Sequence, residues 1–232
     1  KSKTAVKHAD EFETSNSKRG EQMKYLGKPA GMWALFAGSF EKHLTVEFDL
    51  TAGQAKDVAA RAKKKYREII AKLPEFDKRD RFEMNIVNCA MLAAFILCMP
   101  QRPDIKTLTD YYAAAMMTPT MKAFCRASGK KKFTPKDIEG MKATAKLRAG
   151  DRNPYSWNMD FFEYEDGSGY EARFTTCGIC TLMQLLGLYD LTPALCHLDY
   201  TMSDAGGASD FVREYTLASG GPYCDCGYHK KQ

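Results

Sequence analysis

The sequence predicts an α+β fold, with a helical N-terminal half packed on a C-terminal antiparallel sheet. Two observations predict it. Apolar residues recur at helical spacing through much of the first 150 residues, and further along the chain they alternate with polar residues. A run of helices followed by a run of antiparallel strands is typical of α+β proteins. With 232 residues, of which 44% are hydrophobic, the chain is long enough for one domain with a sizeable core.

The domain is expected to begin after a polar lead. Residues 1–28 are polar and charged, with at most one loose helix around Ala5–Glu13. Residues 29–232 are expected to form a single domain, mainly helical over 29–150, with hairpins and the cysteine-rich site over 151–232. The lead has no apolar core of a signal peptide, and the apolar run Cys89–Met99 is shorter than the about 20 residues of a membrane span. We therefore expect a cytoplasmic protein.

Each predicted helix has a boundary signal. The apolar, glycine-punctuated stretch Pro29–Phe40 favours a short helix. Thr51 and Gln54 have the spacing of a capping box, and the amphipathic helix that follows is stopped by Pro74. Further helices are predicted over Arg81–Met99, over Leu108–Met117, and from Thr134-Pro135 to near Gly150.

Strands are predicted in the second half of the chain. Residues Trp157–Phe162 and Tyr170–Thr175 alternate on either side of an Asp-Gly-Ser-Gly turn, which is typical of a β-hairpin. Phe211–Ala218 and Tyr223–His229 are predicted to be two more strands, joined by a Gly-Gly-Pro turn. Between the two pairs, Cys177–Leu188 is predicted to be a helix.

The charge pattern excludes some kinds of partner. The net charge of +5 is small, and the basic runs are short and scattered, which favours solvated faces over a nucleic-acid-binding surface. With no predicted membrane segment either, a small molecule is the expected partner. The sequence leaves open whether the chain forms a homo-oligomer.

Five of the eight cysteines lie in residues 177–228, where we expect the functional site. Without an export signal, reduced thiols that bind metal or take part in catalysis are favoured over a disulfide framework. Cys177, with Cys180 three residues on, stands where a predicted strand meets a predicted helix. The helix dipole and the free N–H groups there lower the pKa of a thiol, so Cys177 is the best-placed nucleophile. A thioredoxin-type redox pair and inert buried thiols are the alternatives.

Charged groups are expected beside these thiols. Cys196 and Asp199 lie three residues apart on a predicted short helix, and they would share a face on which Asp199 could act as a general base. Arg213 is predicted to lie on an apolar strand face, where it needs a carboxylate partner. That partner is either a substrate carboxylate or an internal aspartate.

The last strand adds two thiols. Its alternation puts Cys224 and Cys226 on one face and Asp225 on the other. Such paired cysteines could hold a zinc ion or an iron–sulfur cluster. In that alternative the ligands are Cys180 and Cys226 together with Cys177, Cys196 and Cys224.

These residues resemble the L-2-amino-thiazoline-4-carboxylic acid hydrolase family. The similar features are Gly187 and Cys196 at ten and nineteen positions after Cys177, then Asp199, an Arg-x-x-Thr-Leu-Ala stretch from Arg213, a Gly-Gly turn, and Cys224-Asp225. The family usually continues with Phe and a basic residue, whereas this chain has Cys226-Gly227. Cys180 and Cys226 are therefore additions to the three family cysteines, and they favour a metal or cluster variant.

The resemblance implies ring-opening hydrolysis of a thiazoline carboxylic acid at a cyclic C–N or C=N bond, giving an N-carbamoyl amino acid. The Cys177 thiolate would attack the ring carbon, and no cofactor would be required. The implied catalytic residues are Cys177, Cys196, Asp199, Cys224 and Asp225. The implied substrate-binding residues are Arg213 and Thr216. A metal- or iron–sulfur-dependent enzyme with another reaction and a non-catalytic ligand-binding module are the alternatives.

Overall fold

The computed structural model describes residues 28–150 and 152–231. The predicted α+β fold is confirmed, with helices in the N-terminal half and an antiparallel sheet in the C-terminal part. Apart from Lys28, the predicted polar lead and its loose helix lie outside the described residues. None of the helices within those ranges is long and apolar enough to cross a membrane.

Six helices precede the first strand in the described part of the chain: α1 Lys28–Glu47, α2 Ala52–Ile70, α3 Glu83–Cys98, α4 Ile105–Met116, α5 Pro119–Gly129 and α6 Pro135–Arg148. The predicted capping box is confirmed, since the Thr51 and Gln54 side chains each accept a hydrogen bond from the other residue's backbone N–H. Helix α5 was not predicted, although Thr118-Pro119 begins it with the same pair of residue types that begins α6.

Helix α3 is the centre of the helical half. It is apolar around its whole circumference, and every residue from Cys89 to Ile96 is buried. It packs against α1 and α2, and the ring of Phe95 lies 5.6 Å from Trp33 and 5.1 Å from Phe40, measured between centroids. The helix predicted over Arg81–Met99 is confirmed.

The sheet has four strands, β1 Asp160–Glu163, β2 Gly169–Phe174, β3 Ser209–Val212 and β4 Cys224–Lys230, in the spatial order β1-β2-β4-β3. All neighbours are antiparallel, and the predicted hairpin of β1 and β2 is confirmed. In the register of β2 and β4, Cys224 lies opposite Phe174, Cys226 opposite Ala172, and Tyr228 opposite Tyr170.

The prediction of a strand over Phe211–Ala218 is wrong beyond Val212. The backbone N–H groups of Glu214 and Tyr215 donate to the side chain of Asp225, so they form no ladder with a neighbouring strand. A 3-10 turn over Leu217–Ser219 follows. Arg213 therefore begins a loop that folds over β4 and does not lie in the sheet.

Between β2 and β3 the chain forms α7 Gly178–Leu185, a 3-10 turn, α8 Thr192–Cys196 and α9 Leu198–Gly206. The predicted helix after Cys177 is confirmed. Helix α9 was not predicted as a separate element. It packs closely on α5, because a Cβ on Gly129 would lie 2.3 Å from the carbonyl oxygen of Gly206. This packing places Asp199, in the first turn of α9, beside the sheet.

Candidate active site

Cys177 stands immediately before the first turn of α7, with an extended backbone (φ −139°, ψ 111°). Its thiolate is stabilised by the neighbouring Cys180 thiol, by the backbone N–H groups of Cys180 and Ile179, and by the Trp157 side chain. Against the opposing effect of burial, these lower the pKa of Cys177 to about 7. The predicted position of Cys177 at a helix start is confirmed, while its role as a nucleophile stays a prediction.

The start of α7 can lie this close to the segment before β1 because residue 178 is glycine. A Cβ on Gly178 would lie 2.2 Å from the carbonyl oxygen of Tyr155 and 2.9 Å from Cδ1 of Ile86. Both neighbours are buried residues that cannot withdraw easily. The close approach brings the helix start to Trp157, two residues after Tyr155.

Trp157 is itself held by a buried ion pair. Arg148, at the end of α6, forms an ion pair of 3.2 Å with Asp80, and the two side chains are 2% and 1% exposed. The Arg148 guanidinium also donates to the carbonyl oxygen of Trp157 at 2.9 Å and to Oγ of Ser156 at 2.8 Å. This ion pair therefore fixes the backbone of Trp157, whose side chain stabilises the Cys177 thiolate.

Cys180 is the hydrogen-bond donor of the pair. The hydrogen bond with Cys177, burial, and the negative charge of Cys177 all raise the pKa of Cys180. A thiol that stays protonated beside a thiolate can stabilise that thiolate, but it is a poor nucleophile. The structure thus gives the two cysteines of the Cys-x-x-Cys motif different properties.

Three more thiols are electrostatically coupled to Cys177. Burial raises the pKa of Cys196, of Cys224 and of Cys89, and the charge of Cys177 raises all three further. They come from α8, from β4 and from α3, so elements distant in sequence converge at this point. Cys89 was not predicted to belong to the site, because a cysteine within an apolar helix looks like an ordinary core residue.

Arg213 forms an internal ion pair with Asp199. Its Nη2 donates to Oδ2 of Asp199 and, at 3.0 Å, to the sulfur of Cys226, while Nη1 donates to the carbonyl oxygen of Cys196 at 2.9 Å. Of the two predicted partners, the structure shows the internal aspartate. Nε of Arg213 is buried without a hydrogen-bond partner among the described residues. That Arg213 binds a substrate stays a prediction.

The alternation predicted for the last strand is confirmed. Cys224 and Cys226 are buried on one face of β4, and the sulfur of Cys224 accepts the backbone N–H of Leu217 at 3.2 Å. Burial raises the pKa of Cys226 to about 12. Asp225, on the other face, binds the backbone of the loop after β3, at 2.8 Å from Glu214 and 2.6 Å from Tyr215. A catalytic role for Asp225 stays a prediction.

Thr216 caps the 3-10 turn that follows Arg213. Its hydroxyl oxygen accepts the backbone N–H of Ser219 at 3.1 Å and donates to the Ser219 hydroxyl at 3.0 Å. These contacts within the turn are sufficient to explain why residue 216 is a threonine. That Thr216 binds a substrate stays a prediction.

The structure also bears on the metal alternative. In the two ranges described, no group of three or more His, Cys, Asp or Glu side chains is arranged to hold a metal ion. Cys180 and Cys226 therefore do not join Cys177, Cys196 and Cys224 in such a group. All eight cysteines are free thiols.

The comparison with known proteins gives one match. The model of the L-2-amino-thiazoline-4-carboxylic acid hydrolase family matches residues 84–228, which include all but the first residue of α3, all but the last two residues of the sheet, and every thiol on which the charge of Cys177 acts. None of the curated proteins and none of the solved structures matches the chain significantly.

Proposed function

The chain belongs to the L-2-amino-thiazoline-4-carboxylic acid hydrolase family, and on this basis we propose that it hydrolyses a small carboxylate-bearing thiazoline with Cys177 as the nucleophile. The observation that carries the proposal is the position of Cys177 at the start of α7, beside Cys180, the N–H groups of the first turn and Trp157. With a pKa of about 7, a large fraction of Cys177 is thiolate at neutral pH, and the thiolate is the reactive form.

The proposed reaction begins with addition of the Cys177 thiolate to the ring carbon of the C=N bond, while the ring nitrogen takes up a proton. An N-carbamoyl product keeps that nitrogen on the same carbon. Addition therefore takes place at the C=N bond, as expected from the sequence, but the ring bond that breaks is the C–S bond, and the ring sulfur leaves as a thiol. Water then adds to the enzyme-bound carbon, and the Cys177 thiolate is released. One water is consumed, and its oxygen becomes the carbonyl oxygen of the product.

Two side chains support this chemistry beside Cys177. The Cys180 thiol donates a hydrogen bond to the attacking sulfur, and this hydrogen bond would form again each time the Cys177 thiolate is released. Asp199 is the carboxylate we assign to proton transfer, because it is 45% exposed and lies among the charges that act on Cys196. Arg213 is a positioning residue in this proposal, since its contacts fix the carboxylate of Asp199.

A covalent adduct tests the proposal directly. Incubation with 2-amino-thiazoline-4-carboxylate should give an adduct on Cys177, seen by mass spectrometry after rapid acid quenching. Cys177→Ala should abolish both the adduct and turnover. Cys98→Ala is the matched control, because Cys98 is also buried but lies near Arg61 and Lys65, away from the site. Full turnover by the Cys177→Ala enzyme would disprove the nucleophile assignment.

The hydrogen bond between the two thiols also favours a second candidate function, a dithiol–disulfide redox reaction of Cys177 with Cys180. A redox enzyme would reduce a disulfide substrate and would need both thiols. A hydrolase should turn over repeatedly without an electron donor, and its Cys180→Ala variant should still turn over, with a pH profile moved to higher pH. Turnover of the thiazoline with and without dithiothreitol separates the two candidates.

Other parts of the proposal rest on the sequence alone. They are the cytoplasmic location, the absence of a required cofactor, and a small molecule as the partner. The alternative in which zinc or an iron–sulfur cluster takes part is tested by elemental analysis of protein purified without oxygen. One equivalent or more of bound metal, lost together with activity on chelation, would favour that alternative.

A further inference from the structure

A cavity of about 340 Å³ lies at the other end of the sheet from Cys177, between α5, α6, α9 and the strands. Its charged lining residues are Arg81, Lys132, Asp137 and Asp199, and its aromatic lining includes Tyr170 and Tyr228. Lys132 and Asp137 are half-buried in this wall, whereas Arg81 is exposed and the Asp199 side chain is 45% exposed.

Lys132 lies in the turn between α5 and α6 and points into this cavity. Its Nζ is 3.3 Å from the ring centroid of Tyr228 and 5.1 Å from that of Tyr170. Among the described residues no carboxylate forms an ion pair with it, and burial lowers the pKa of Lys132 to about 8. At pH 7 the amine is therefore mostly a cation, and the charges of Asp137 and Asp199 favour that form without contacting it.

The turn holds Lys132 in place. The next residue, Phe133, has a left-handed backbone (φ +61°), which a bulky side chain adopts only under constraint. Its backbone N–H donates to Oδ2 of Asp137 at 2.8 Å, and the hydroxyl of Tyr170 donates to the same oxygen at 3.2 Å. Asp137 thus stabilises the turn, and the ammonium group of Lys132 is left to the cavity.

Arg81 is a second cation without an ion pair on the same wall. Its Nη1 contacts the hydroxyl of Thr144 at 3.4 Å and the sulfur of Met141 at 3.7 Å, which are weak acceptors for a guanidinium. A carboxylate would suit both cations, because it can accept from a guanidinium fork and from an ammonium group at once.

The Lys132 end of this cavity is too far from Cys177 to contact a substrate held there. Cys224, Cys226 and Tyr228 follow one another on one face of β4, and the first and last are about 13 Å apart at the usual rise of a strand. The charge of Cys177 raises the pKa of Cys224 at one end of this row of side chains, whereas Lys132 lies over Tyr228 at the other end. A single five-membered ring cannot reach from one to the other.

We propose that this cavity is a second ligand site, which binds a small organic acid through its carboxylate, with Lys132 and Arg81 as the binding cations. The proposal does not depend on the reaction at Cys177. Asp199 connects the two sites, since it lines the cavity and also holds Arg213 against Cys226.

The experiment uses methionine methyl groups as reporters. Met141 and Met202 line the cavity, and Met32 in α1 does not. The full chain, labelled with ¹³C at methionine methyl groups, is titrated with benzoate at pH 7 and constant chloride concentration. We expect saturable shifts of the Met141 and Met202 resonances and none of Met32. Benzylamine, which has the same shape and the opposite charge, should give no saturable shift.

Two variants complete the test. Lys132→Gln combined with Arg81→Gln should raise the Kd for benzoate at least about tenfold, the effect expected for lost hydrogen bonds to charged groups. Lys131→Gln, at an exposed neighbouring lysine, should leave it unchanged. The proposal is overturned if the unaltered protein shows no saturable shift, if benzylamine shifts the same methyl groups, or if the double variant binds benzoate equally well.

Discussion

Arg213 is 6% exposed and forms an ion pair with Asp199, whose side chain is 45% exposed. The cation therefore lies within the protein, while its anion is reached by water from one side. The hydrogen bonds of the same guanidinium to Cys226 and to the carbonyl oxygen of Cys196 connect β4 with α8. The pair therefore connects Cys196 and Cys226 with helix α9, to which Asp199 belongs.

Replacing Asp199 should therefore destabilise the protein as well as slow the reaction. Asp199→Asn leaves a buried guanidinium without its anion, and we expect the free energy of unfolding to fall by about 1–3 kcal/mol. Asp204→Asn, on the exposed side of the same helix, should change it by less than about 0.5 kcal/mol. Urea unfolding measures both, and equal stability of the two variants would contradict the ion pair.

The reactivity of Cys177 should follow a pKa of about 7. Because the thiolate reacts and forms above the pKa, alkylation by iodoacetamide should accelerate as the pH rises through about 7 and then level off. Cys180→Ala removes the largest of the stabilising hydrogen bonds, so its midpoint should move to higher pH. The measurement is the rate of Cys177 modification against pH, and an unchanged midpoint in the variant would exclude Cys180 as the donor.

Trp157→Phe should raise the pKa of Cys177 with little loss of packing. The substitution removes the N–H donor and keeps an aromatic ring near Phe82, which lies 5.4 Å from Trp157 between centroids. Trp33→Phe, in the stack of the helical half, is the matched control and should leave the pH profile of alkylation unchanged. A profile that shifts equally in both variants would mean that a general loosening of the core, and not the lost hydrogen bond, is responsible.

The buried pair of Asp80 and Arg148 should be one of the strongest single contributions to stability. Asp80→Ala removes the buried carboxylate that pairs with Arg148, and we expect a loss of about 3–5 kcal/mol in the free energy of unfolding. Asp77→Ala removes an exposed partner of Arg79 nearby and should cost much less. Thermal and urea unfolding distinguish the two, and similar losses would contradict the assigned burial.

The sequence predicted those features that depend on local signals. The hairpin of β1 and β2, the capping box at Thr51 and the helix that begins after Cys177 each follow from spacing and from residues next to one another in the chain. The alternation of Cys224 and Cys226 in β4 belongs to the same group, because strand geometry alone determines it.

Features set by distant contacts were not predictable. The strand predicted to continue through Arg213 ends at Val212, because Asp225 from another strand binds the next backbone N–H groups. The partner of Arg213 stayed open between a substrate and an aspartate until α9 was seen to place Asp199 beside it. Lys132 belongs to a run of three lysines, a pattern typical of a solvated face, and only its contact with Tyr228 shows otherwise.

Strand β4 has a consequence for how this chain can vary. One residue inserted after Asp225 would turn every later side chain to the opposite face, since strand side chains repeat every two residues. Tyr228 would leave the floor of the cavity while Cys224 kept its place beside Cys177. The number of residues between Cys224 and Tyr228, more than the identity of any one of them, therefore keeps these two side chains on the same face of β4.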